Sequence, residues 1–289
     1  MRERFTGARL FICPGYIKDM ATFEKNLFDI GYMDTLALGN TGLHRLDPRA
    51  KLITTLIFVT MVVSLGKYEI SMMVPFVIYP LAMIVSGELP FAYLFKKILL
   101  VAPFAILIGI FNPLLDRQAL VQIGSMSISG GWISFFSIMI RFGLTVGAAL
   151  VLISLTGFNS VCMGLEKLGV PRPFVVQLLF LYRYLFVLID EASRMVRARS
   201  LRAFGSGRMQ FKIFVPLIGQ LLLRTLDRAQ RIHLAMCCRG FDGHIPMNRI
   251  MKFGFKEIRF TLAWSLLFLC FRSHNIPLEM GELIGGYLR

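Results

Sequence analysis

Ile98–Leu115 reads ILLVAPFAILIGIFNPLL, eighteen consecutive residues without a charge. A run of this length and polarity is a membrane-spanning helix candidate, because about 20 mainly apolar residues cross a hydrocarbon core ~30 Å thick. Working outward from it, Leu52–Gly66 is free of charge, and Ile70–Gly87 follows after Lys67-Tyr68-Glu69. Between Gln118 and Leu165 the only charge is Arg141, which leaves room for one long helix or two elements. Pro173–Ile189 is apolar apart from Arg183, and Phe260–Phe271 is apolar but short enough to need flanking residues or a partly interfacial position. The expected fold is therefore all-α, a multi-pass transmembrane helix bundle of five or six spans. Since the parity is open, so is the side on which the N-terminus lies.

Composition agrees. The 289 residues are 56% hydrophobic and 17% charged, with a mean hydropathy of +0.65. A soluble domain lies nearer 45–50% and about 25%. The apolar content excludes intrinsic disorder, and five scattered cysteines do not form a disulfide framework. The net charge of +15 is concentrated: Asp190–Arg259 holds 14 Lys and Arg against five acidic residues. Basic segments stay on the cytoplasmic side of a membrane protein. No groove-reading or aromatic-interleaved module accompanies this one, so nucleic acid is not an expected partner. The opening residues, MRERF, do not begin a signal peptide, since no apolar core or small-residue cleavage site follows.

Asp47-Pro48 sets a capping carboxylate before a proline suited to the first helical position. Asp47, Pro48 and Arg49 thus form a motif where the chain enters its first span, with Arg49 and Lys51 free to snorkel to headgroups. A well-made helix start at the interface explains all of it. Gly143 and Gly147 make a GxxxG pair, read as helix packing. Arg141 and Arg183 are costly at membrane depth, so each is either functional or close to an interface.

Several chemistries are absent. There is no GxxxxGK[ST] phosphate loop, HExxH, GxSxG or CxxC sequence. The four histidines lie far apart, and adjacent Cys237-Cys238 are poorly placed to share one zinc. The candidate spans hold no Asp or Glu, whereas a proton-coupled carrier would need an intramembrane carboxylate. Neither an enzyme nor a self-powered carrier is expected.

The basic segment reads as helices. Asp190–Phe204 continues out of the preceding span, with Asp190 four residues before Arg194, and Gly205-Ser206-Gly207 ends it. Lys212–Leu223, with Pro216, reads as an interfacial helix, and a separate helix runs from about Leu221 to Arg239. At 100° per residue Arg224, Arg228, Arg231 and Arg239 share an arc of about 80°, and Gly240 supplies the stop. Lys212 is the one lysine between positions 190 and 239, among many arginines. A planar guanidinium fork matches carboxylates bidentately, so the bias favours an acidic protein groove over an anionic-lipid anchor.

At this point the chain resembles a known family. Leu43-His44-Arg45-Leu46-Asp47-Pro48-Arg49-Ala50-Lys51-Leu52 resembles the opening signature of the membrane-spanning T component of energy-coupling factor (ECF) transporters. Met33–Asn40 is similar to the cobalt-type branch, CbiQ. Leu168–Pro171, Tyr182-Arg183-Tyr184 and Asp190-Glu191 match the family's run into its cytoplasmic helices. The resemblance covers roughly residues 30 to 270.

What it implies is a non-catalytic transport subunit. Two Ala-Arg-Gly-like motifs would each engage a groove of an ABC-type ATPase subunit. They correspond to Ala198-Arg199-Ser200 and Cys238-Arg239-Gly240, with serine in place of glycine and cysteine in place of alanine. The expected docking residues are Ala198, Arg199, Arg202, Arg239 and Gly240. The implied partners are two ATPase subunits, a substrate-binding membrane subunit and the bilayer of a prokaryotic cytoplasmic membrane. This chain is expected to hold no cofactor of its own, ATP being bound by the partner subunits. The expected sections are an N-terminal segment 1–46, transmembrane helices 47–189, cytoplasmic coupling helices 190–257 and a last transmembrane or interfacial helix with tail, 258–289. Cobalt is the implied substrate, with a vitamin or nickel as the alternative. A membrane enzyme acting on lipid phosphates and a lipid-anchored scaffold are the competing readings.

Overall fold

The computed structural model describes residues 31–66, 69–115, 119–123, 126–202, 211–243 and 254–273. The first 30 residues and the proposed Gly205-Ser206-Gly207 stop lie outside them.

Helix α1, Pro48–Val63, begins at the Asp-Pro pair. The Arg49 amide donates to Asp47 Oδ1 at 2.9 Å, and Pro48 gives up an N–H that no helix could use there. The next apolar run is broken into α2 (Ile70–Met73), a 3₁₀ turn (Pro75–Val77) and α3 (Ile78–Ser86). Pro75 cannot donate to the helical ladder, which accounts for the interruption. Helices α4 (Phe91–Gly109) and α5 (Phe111–Leu115) follow. The chain then makes a short antiparallel hairpin, β1 (Ala119–Ile123) and β2 (Met126–Ser129), with Val121 opposite Ile128 and Ile123 opposite Met126. The remaining helices are α6 (Gly130–Thr156), α7 (Phe158–Lys167), α8 (Arg172–Arg202), α9 (Phe211–Cys237) and α10 (Phe255–Ser273).

The protein is all-α in character, with this hairpin as a small addition. Among the described residues three segments are long and apolar enough to cross a membrane: Phe91–Pro113, Gly130–Thr156 and Arg172–Arg199. A count of five or six spans draws in the shorter helices, namely α1 at 16 residues, Ile70–Ser86, and α10 at 19.

The contacts form two compact units. The first joins residues 33–168 to the segment carrying α10. Its core is aromatic: the Phe58 ring lies 4.7 Å from Tyr79 and 5.4 Å from Phe268, and Tyr79 meets Trp264 edge-on at 5.0 Å. Such offset and edge-on pairs add to the area each ring buries. The Tyr79 hydroxyl is satisfied by Thr55 Oγ1 at 3.0 Å. Gly87 allows the close approach of Leu155, whose Cδ2 would stand 2.4 Å from an added Cβ. The GxxxG pair packs on one side only. Gly147 faces Ile98 of α4, while a Cβ at Gly143 would meet nothing within 4 Å.

Two cations in this unit have partners that the sequence did not reveal, and one of them departs from the expectation. Lys51 does not snorkel. It is 1% exposed, and its ammonium donates to the Leu155 carbonyl at 3.0 Å. Arg141 donates to the Leu65 carbonyl at 2.8 Å. Helices α1 and α6 therefore run antiparallel, each using a basic side chain on the carbonyls at the other's C-terminal end. The Leu155 carbonyl, in the last turn of α6, lacks an intrahelical partner and carries the negative end of that helix's dipole, which draws Lys51 inward, while the Leu65 carbonyl that receives Arg141 lies just past the end of α1.

The second unit holds α8 and α9. Helix α8 carries the apolar stretch 173–189 without a break into the basic one. The two helices expected between Lys212 and Arg239 are one, Phe211–Cys237. Pro216 removes a single ladder bond, to residue 212. That loss falls one turn from the start of a 27-residue helix and does not end it.

Candidate functional site

The candidate docking residues all lie in the α8–α9 unit, at two separate places. Ala198, Arg199 and Arg202 occupy the last turns of α8 and are exposed. With Met195, Leu217, Gln220 and Arg224 they line a cleft of about 410 Å³. Guanidinium groups at a helix C-terminus complement its dipole, so this tip stays basic at little structural cost.

The second place is the end of α9. Gly240 takes φ +75°, the Phe241 amide donates back to the Met236 carbonyl at 3.1 Å, and the Gly240 amide donates to Cys237 at 3.0 Å. This is a Schellman closure, and its left-handed position favours glycine. It fixes Arg239 at the tip, exposed. Gln220, in the first cleft, and Arg239 are separated along α9 by about 28 Å at 1.5 Å per residue. The structure thus presents two arginine-bearing tips rather than one patch.

The four-arginine stripe does not act as one surface. Arg224 is held by Glu191 of α8 at 2.6 Å, and Glu191 also lies 3.4 Å from Arg194. The expected Asp190–Arg194 pair is present at 3.5 Å. Arg224 is accordingly a strut where the two helices cross. Sequence spacing could not reveal this, because its partner is 33 residues away. On the far side of the crossing the helices diverge around a wedge of about 1160 Å³. Arg228 and Arg231 line that wedge together with Phe180, Tyr184 and Val187 of α8. Arg183 is exposed on α8.

The motif at the start of the first span lies in the other unit and is mostly buried. Asp47 is 5% exposed, Pro48 is buried, and Arg49 Nε stands 3.9 Å from Asp47 Oδ1. His44 is buried beside it. A carbonyl only accepts, so His44 Nε2 carries the proton donated to Leu36 at 3.1 Å, and Nδ1 accepts from the Thr41 hydroxyl at 2.6 Å. Burial, with a smaller effect from the Lys51 charge, holds this imidazole below its usual 6.5, while the Leu36 hydrogen bond opposes the shift. Nearby, Asp34 Oδ1 accepts from the Phe158 amide at 3.2 Å, serving as the cap for α7 that Gly157 lacks. These groups join helix ends to one another. Among the described residues, no cluster of three or more His, Cys, Asp or Glu is placed to hold a metal ion.

A transmembrane protein named EcfT, of the energy-coupling factor transporter of Listeria innocua, is 26% identical over 80% of this chain and 90% of its own length. The protein of the same name from Ruminiclostridium cellulolyticum is 27% identical over 77% and 86%. Both are membrane components of transporters and neither is named as an enzyme. The sequence profile described as CbiQ, cobalt transport protein, matches residues 39–250, most of the chain including both arginine tips, and this protein belongs to that family.

Proposed function

We propose that this chain is the transmembrane coupling subunit of an ATP-driven ECF-type importer. In this reading two ABC-type ATPase subunits engage it from the cytoplasm, one at Ala198, Arg199 and Arg202 and the other at Arg239 and Gly240. The observation that carries it is the pair of exposed arginine tips, one ending α8 and one ending α9, with Arg239 about 28 Å along α9 from Gln220 of the first cleft. Two separate tips suit two nucleotide-binding partners, and each guanidinium can form a paired hydrogen bond to a carboxylate. In this reading ATP is bound by those partners, in keeping with a sequence that has no phosphate loop.

When the ATPases close, the tips move with them and α8 and α9 transmit the motion to a separate substrate-binding membrane subunit. ATP biases this chain only through contacts that differ between its two states. The rigid Schellman end of α9 and the Arg224 strut keep that motion from dissipating in the helices. The membrane is the prokaryotic cytoplasmic membrane, with the arginine tips inside the cell. Cobalt is the substrate favoured by the description of the matched family.

Arg199→Glu combined with Arg239→Glu should abolish copurification of the ATPase pair while leaving the chain in the membrane. Undiminished copurification would reject the docking assignment. Radiolabelled cobalt uptake, with and without this chain beside its ATPase and substrate subunits, tests the substrate. Uptake of another solute alone would replace cobalt.

A further inference from the structure

The wedge between α8 and α9 is not used by the proposed docking. Its volume, about 1160 Å³, exceeds the roughly 300–1,000 Å³ of ordinary small-molecule pockets. Its two walls differ in chemistry. The α8 wall repeats at helical spacing, with Phe180 stacked on Tyr184 at 5.9 Å and Val187 beyond. On α9, at 100° per residue, Thr225, Ile232 and Met236 point toward α8, and Arg228 and Arg231 form one shoulder. Among the described residues, the carboxylates lining the wedge are Glu191 and Asp227. Glu191 is already committed to Arg224 and Arg194, and Arg231 Nε donates to the Asp227 backbone carbonyl at 3.3 Å. The shoulder therefore presents two exposed guanidinium groups, and among the described residues neither is in an ion pair with a carboxylate.

We infer that this wedge binds an anionic phospholipid. Its phosphate lies between Arg228 and Arg231, and an acyl chain lies along Phe180, Tyr184 and Val187. Charge complementarity selects the occupant. A purely apolar segment would leave two arginines facing it without a partner, and free phosphate would leave the aromatic wall uncovered. A phosphodiester on a hydrocarbon chain satisfies both. Residues three apart on a helix have Cβ atoms about 5–6 Å apart, close enough for two guanidinium forks to share one phosphate. The lipid need only come from the adjoining leaflet of the bilayer, against which the apolar face of α8 can lie. Bound there, it would hold the arms apart on the far side of the Arg224–Glu191 strut.

The test uses the full chain with its ATPase partners, purified in mild detergent from nanodiscs of phosphatidylcholine with 10% phosphatidylglycerol, and native mass spectrometry to count retained lipid. The expected result is about one phosphatidylglycerol per chain, not displaced by excess phosphatidylcholine. Arg228→Gln with Arg231→Gln should lower that occupancy about tenfold, and Arg183→Gln, outside the wedge and the docking tips, should leave it unchanged. Equal retention of the two lipids by the unaltered protein would overturn the inference, and that arm needs no variant to fold. Undiminished phosphatidylglycerol in the double variant would overturn it too. So would a wedge whose lipid is wholly displaced by a membrane protein partner in the assembled transporter. Loss of ATPase copurification, by contrast, tests the docking tips and leaves lipid occupancy unaffected.

Discussion

Lys51→Met isolates the contribution of a buried cation at a helix end. The ammonium is 1% exposed and lies 3.0 Å from the Leu155 carbonyl, one of the last four of α6. A hydrogen bond to a charged group contributes about 1.5–3 kcal/mol, and a buried carbonyl left bare costs about 1–3 kcal/mol. Methionine nearly preserves the volume, so little cavity forms, but removing the ammonium returns part of its desolvation cost. The orphaned carbonyl decides the sign, and we expect a net loss of about 2 kcal/mol, roughly 30-fold in the folded population. In detergent, this lowers the thermal midpoint by about 4–8 °C on the scaling for chains of this size. Arg141→Met acts at the other end of the same helix pair, about 21 Å away by 14 residues of rise. The two losses should then add within about 0.5 kcal/mol. An unchanged or raised midpoint for Lys51→Met would show that the buried charge costs more than its carbonyl partner returns, and the capping account would fail.

Two other expectations concern the same unit. His44 is held below its ordinary 6.5 mainly by burial, so the unfolded chain binds the proton more readily than the folded one. Stability should be full above about pH 6.5, fall as pH drops through the interval down to the folded value, and level off below it. Chemical-denaturation midpoints from pH 8 to pH 5 should trace that slope, and His44→Gln should flatten it; an equal slope in the variant would assign it to other groups. Phe268→Ala removes a ring with 0% exposure from the aromatic core, at a cost of about 3–5 kcal/mol. Limited proteolysis should then cut at α10 first, and an unchanged cleavage pattern would show that α10 does not depend on this contact.

Local chemistry was legible in the sequence, and distant pairing was not. The Asp47-Pro48 start and the Gly240 stop were readable because a helix end is specified within four residues. The long apolar runs of α4, α6 and α8 were readable because periodicity does not matter when every face is apolar. Lys51 was misplaced, and the role of Arg141 stayed open, because their partners lie 104 and 76 residues away. The Arg224–Glu191 strut was hidden for the same reason, and it removed one arginine from a stripe that helical geometry alone had grouped. Pro216 suggested a boundary because proline is a strong breaker, but its effect depends on its distance from the helix start. The hairpin between α5 and α6 went unread although Gly124-Ser125 is a two-residue turn signal, because the long apolar runs flanking it dominated the reading.

The pairing of Phe58 with Phe268 also has a consequence for biosynthesis. The arms α8 and α9 are made between these two rings, so the first helix waits 210 residues for the side chain that covers it. At roughly 5–20 residues per second this delay is about 10–40 s. During that time Phe58 and Tyr79 must find shelter in lipid or in the insertion machinery. A ribosome stalled within the arms would leave a nascent chain whose first helices are made and whose core is still open.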